Sequence, residues 1–101
     1  MARVTWTDAA LRDVRGIHEH STRDSRPAAE GMVRRLRTEG ARLARFPELG
    51  RIVPEYDDPA FRELLVSPYR LVYRYQRNTD RVQVLMVKHG SRLLPSVPER
   101  E

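Results

Sequence analysis

The sequence predicts an α+β fold: an N-terminal strand, an antiparallel helical hairpin, and then an antiparallel β-sheet meander. Three observations carry that expectation. Apolar residues recur at helical spacing in two stretches between residues 8 and 45. They alternate with polar ones in three stretches between 61 and 89. Short breakers rich in Pro, Ser, Asn and Asp separate these stretches. A chain of 101 residues holds one domain. Its expected extent is 1–95, with a short flexible tail at 96–101.

RVTW (3–6) is the first strand, with Val4 and Trp6 on one face. Thr7 offers an N-cap and Asp8 suits a first helical turn. Leu11, Val14, Ile17 and Ser21 then keep helical spacing and predict a helix over 8–22. TRDSRP (22–27) breaks it; Ser25 can cap the next helix and Pro27 fits its first turn. Ala29, Met32, Val33, Leu36, Gly40 and Leu43 form one stripe, with Arg34, Arg35, Arg37, Arg42 and Arg45 on the other side. Gly40 is expected to let the first helix come close. Phe46-Pro47 ends the hairpin. PELGRIVPEYDDPA (47–60) is loop-like; RIV within it is a short strand that Pro54 confines to an edge. FRELLV (61–66), YRLVYRYQ (69–76) and RVQVLMVKH (81–89) complete the meander, with breaks at Ser67-Pro68 and Asn78-Thr79-Asp80.

An even-numbered loop between the last two strands pairs Tyr75 with Val82, Tyr73 with Val84 and Leu71 with Met86. These residues, with Leu64 and Val66, make the core face under the helices. The opposite face collects Glu63, Arg70, Arg74 and His89 among Leu65, Val72, Leu85 and Val87. A half-apolar face with converging charges is a candidate binding groove. The competing reading pairs Arg70 and Arg74 with Glu63 across the strands on a solvated face. Trp6 and the tyrosines follow the buried face and read as core. His18 and His20 project about 200° apart on a helix and read as surface residues.

The net charge is +5 and the pI about 10.4, which favours an anionic partner: nucleic acid, a ribosome or an acidic protein. Lys88 is the only lysine among the 19 basic residues. G/C-rich codons favour arginine, and the guanidinium fork suits phosphate and carboxylate. Without cysteine the chain has neither disulfides nor thiolate metal sites. MARVTWTDAAL lacks the apolar run of a signal peptide, and VLMV (84–87) is far too short to cross a bilayer. The expectation is a cytoplasmic protein with no membrane contact. There is no P-loop, G-x-G-x-x-G, H-E-x-x-H or nucleophile elbow, and no cofactor or metal is expected.

Four pieces taken in order have a familial shape: VTWTDAALRDV, the PELG-R turn, FRELLVSPYRLVYRY and VLMVKHGSRLLP. Nearly the whole chain resembles the ParE/RelE superfamily of toxins from type II toxin–antitoxin modules. RELLVSPYRLVYR with VKHGSR is closer to the ParE branch. The resemblance implies two antiparallel helices on a curved antiparallel sheet. It also implies an antitoxin whose C-terminal segment wraps the toxin and whose N-terminal part binds operator DNA. ParE-like members poison DNA gyrase, which is the leading expectation. RelE-like members cut mRNA on the ribosome, and a third possibility is a non-toxic relic that only binds antitoxin.

In a gyrase poison no residue is catalytic. The residues expected to bind antitoxin or target are then Arg70, Val72, Arg74, Leu85, Val87 and His89. In a nuclease, Glu63, Arg70 and His89 are the candidates for base, charge stabiliser and acid. Arg70 matches the arginine of the R-L-V-Y strand motif in nuclease members, and His89 a histidine near their C-terminus. Gly90 stands where an aromatic often follows, and the lysine-rich middle strands of nuclease members are missing.

Overall fold

Two short polar side chains set the helical hairpin. Thr7 is extended, and its hydroxyl accepts from the Ala10 N–H, starting α1 (Asp8–Ser21) directly after β1 (Arg3–Trp6). Ser25 does the same for Ala28 at the head of α2 (Arg26–Arg42). The computed structural model describes residues 1–96, so the expected tail lies from 97 onward outside the described residues. Four strands follow: β2 (Arg51–Ile52), β3 (Phe61–Val66), β4 (Tyr69–Gln76) and β5 (Arg81–His89).

The strand order is β1-β5-β4-β3-β2, with β2 to β5 an antiparallel meander as expected. β1 joins β5 in parallel, so the sheet is mixed. β2 is the far edge, two residues long and stopped by Pro54. β5 outruns β1, and α1 covers the free part of its edge. Thr7 donates its N–H to the Val84 carbonyl and its hydroxyl to that of Leu85. Asp13 accepts from the Val87 N–H and from Lys88 Nζ. A side chain thus stands where a strand would otherwise pair.

α1 packs on α2 and β5, and α2 on β3. The main core fills the space between them: Ala10, Val14 and Ile17 from α1, Leu36 from α2 and Leu43 at its C-cap, and Leu64, Leu71, Tyr73, Val82 and Val84 from the sheet. Leu11, expected on the buried stripe, is 44% exposed; Ala10 takes the inward position instead. Gly40 serves a different neighbour from the one expected. A Cβ there would lie 2.7 Å from Trp6 Cζ2, so the missing side chain admits the indole of β1 rather than α1.

The register of β4 on β5 is as expected at Tyr75–Val82 and Tyr73–Val84, and then slips. Val72 pairs with Met86, which leaves Leu85 as an extra residue, a β-bulge. Leu71 therefore faces Val87, not Met86. Val87 joins the core under the helices, while Met86 turns to the reverse face beside Leu85. The tetrad VLMV is apolar at every position, so a slip of one residue leaves its pattern intact.

Candidate functional site

The reverse face of the sheet carries most of the residues singled out by sequence, and part of it is not bare. Val72, Leu85 and Met86 form a second apolar cluster with Phe61 and with Val53 from the β2–β3 loop. Tyr56, Ala60 and Leu94 close over it. Tyr56 meets Phe61 edge-on at 5.5 Å and donates its hydroxyl to the Pro95 carbonyl at 2.7 Å. The apolar strip expected to await a partner is thus covered by the chain's own loop and C-terminal segment. Val87 leaves that face altogether because of the bulge.

Beside this cluster lies a buried ion network. Arg70 and Glu63 are 8% and 4% exposed, so neither charge can rely on water. Arg70 Nε donates to Glu63 Oε1 at 2.6 Å, and its two terminal nitrogens donate to both oxygens of Glu55 at 2.7 Å. Arg51 Nε takes the other Glu63 oxygen at 2.6 Å. The Arg70 hydrogen bonds hold the Glu55 carboxyl at about 2, from an ordinary 4.5. The same pairing, with Glu55 foremost, raises the Arg70 guanidinium further above its usual range. The arginine ladder of β4 is half-explained by this network: Arg70 is an internal counter-ion, as the competing sequence reading had it, although its strongest partner is a loop residue that alternation cannot reveal.

His89 does not join Glu63 and Arg70. It pairs with Tyr69, whose ring packs against the helix-side core, and the two rings meet edge-on at 5.8 Å. The histidine is exposed, and its Nδ1 lies 2.8 Å from the Ser91 hydroxyl. The slip at Leu85 changes the parity of everything after it, and so carries His89 to the other side of the sheet.

Arg74 remains on the reverse face, between Phe61 and Gln83 in register. Its side chain makes no hydrogen bond or ion pair among the described residues, and its Nε is buried without a partner. It lines a groove of about 780 Å³ bounded by the start of α1 and the β4–β5 ribbon.

A profile described as "ParE toxin of type II toxin-antitoxin system, parDE" matches residues 4–94. The chain belongs to the ParE toxin family. Among curated relatives, it is 37% identical over 93 residues to "Toxin RelE2" of Caulobacter vibrioides, covering 92% of this chain and 100% of that protein. It is 33% identical over 97 residues to "Putative toxin Y4kP" of Sinorhizobium fredii, covering 94% and 95%. The fold matches a chain of the structure titled "Chromosomal ParDE TA system from P. aeruginosa", with TM-score 0.72, 22% identity and coverage of 88% and 96%. The intact E. coli RelBE toxin–antitoxin complex also matches, with TM-score 0.61, 19% identity and coverage of 91% and 100%. As a ParE family member the chain is a toxin of the ParE/RelE superfamily of type II toxin–antitoxin systems. Among the described residues, no helix is long and apolar enough to cross a membrane.

Sequence reasoning missed Glu55 and Arg51 as members of the ion network. Neither lies in a periodic stretch. The one signal was the acidic run EYDD between two prolines, near in sequence to an arginine-bearing strand.

Proposed function

We propose that this ParE family toxin arrests growth by binding DNA gyrase, with no chemistry of its own, and is held inactive by a cognate antitoxin. The observation that carries the first part is the state of Arg70. Each of its three nitrogens donates to Glu55 or Glu63, so the guanidinium is already clamped by two carboxylates rather than held out as a fork for a scissile phosphate. Glu63 is likewise committed to two arginines, and His89 lies on the opposite face. A base, a charge stabiliser and an acid must converge on one phosphate for RNA cleavage. The antitoxin part is supported by the solved structures with this fold, whose titles name a ParDE TA system and a RelBE toxin–antitoxin complex.

Purified toxin should be offered gyrase with relaxed plasmid, and separately ribosomes programmed with mRNA. Inhibition of supercoiling with cleaved plasmid is the expected outcome, and His89→Gln should retain it. Ribosome-dependent cuts with gyrase unaffected would overturn the reading. Co-expression with the cognate antitoxin, to be sought as a small protein encoded beside the toxin, should restore growth and yield a stable complex.

A further inference from the structure

The two ends of the reverse face handle charge differently. At the β2–β3 end both arginines of this face are paired within the chain, Arg51 and Arg70 with Glu63 and Glu55. At the β1–β5–β4 end the register lines up Arg3 with Arg81 and Gln76 in one row, and Thr5 with Gln83 and Arg74 in the next. Arg12 of α1 borders the same groove. None of Arg3, Arg12, Arg74 or Arg81 is ion-paired among the described residues. The two acids on the groove's wall do not offset them. Asp13 is engaged by Lys88 and the Val87 N–H, and Asp8 sits in the first turn of α1, where the helix dipole is positive.

We propose that this row of unpaired arginines with Gln76, Gln83 and Thr5 is a binding surface for the phosphodiester backbone of DNA. Guanidinium, amide and hydroxyl groups are the donors that contact phosphates. A peptide partner would want an exposed apolar anchor. Of the large apolar residues lining this groove, Phe61, Leu85 and Met86 are under 10% exposed and used internally, and half-buried Trp6 packs against the helix-side core; the exposed ones, Ala9 and Pro95, are small. A polar, strongly positive surface without apolar anchors is the composition of a nucleic-acid interface. Arg74, with its Nε packed away and unpartnered, presents a held fork rather than a waving one. The choice of DNA over RNA rests on the gyrase reading: a toxin that touches both the enzyme and its DNA would trap the pair.

Fluorescence anisotropy of the full chain on a labelled mixed-sequence duplex tests this. Arg74→Gln with Arg81→Gln should bind about tenfold more weakly at low salt, and the log–log salt slope should flatten by roughly two, near one per lost phosphate contact. The control, Arg34→Gln with Arg37→Gln on the outer side of α2, makes the same charge change and should bind like the wild type. Circular dichroism melts confirm that both variants fold. Equal loss in both variants, no wild-type binding to DNA at low salt, or binding only to RNA or to an acidic peptide would each overturn the proposal. Gyrase assays separate it from the functional reading. If the Arg74/Arg81 variant poisons gyrase as well as the wild type, the surface fails and the gyrase reading stands. If the wild type binds DNA through this groove yet leaves gyrase untouched, the reverse holds.

Discussion

Arg70 is the residue where an obvious experiment misleads. Truncating it to alanine removes one partner of a buried pair and leaves Glu63 with a single, largely exposed arginine. The expected loss is about 3–5 kcal/mol, the usual penalty for orphaning a buried charge. Urea unfolding should show it, so weaker toxicity in that variant would track stability rather than chemistry. Glu55 gives the pH signature of the same network. Its carboxyl falls from 4.5 unfolded to about 2 folded, so its contribution is fully present above 4.5 and is lost as pH drops toward 2. Denaturant midpoints taken between those pH values should decline in the wild type, and that decline should be shallower in Glu55→Gln. A wild-type limb as shallow as the variant's would remove Glu55 from the network. Alternation put Arg70 and Glu63 on one face correctly. The loop residue that completes the pairing has no period to read.

At the scale of elements, caps and stripes were legible because they are local: Thr7, Ser25, Leu36 and Leu43 sit where their spacing put them. Leu36→Ala should cost about 2–4 kcal/mol as a core truncation, against under ~0.5 kcal/mol for exposed Arg37→Ala. Equal denaturant midpoints would refute the assigned face of α2. The glycines divide in the same way. Gly16 and Gly31 have open space around a built Cβ, so alanine there should stabilise by roughly 0.5–1 kcal/mol through helix propensity. Gly40→Ala meets the Trp6 ring and should destabilise by about 1–3 kcal/mol. Thermal melts of the three variants check the opposite signs. The partner of Gly40 was not legible, because nothing local says which element fills a notch.

For the molecule as a whole, the meander and the layered core followed from periodicity, whereas two facts required the sheet itself. One is the bulge at Leu85, hidden in a uniformly apolar tetrad, and it decided which side His89 occupies. The other is the partner of β1, since a four-residue strand carries no address. Together they split charge from chemistry: the paired end of the reverse face is structural, and the histidine is elsewhere.

The parallel pairing of β1 with β5 also sets an order of events. Thr7 and Leu85 hydrogen-bond across a separation of 78 residues. The first of the described strands is therefore the last to find its neighbour, and the helical hairpin waits on a sheet whose central strands follow it in the chain. Such long-range closure slows folding. A nascent chain halted before Arg81 lacks the edge on which Val4 and Trp6 dock. Synthesis thus closes the core of this toxin only when β5, the last of its described strands, has been made.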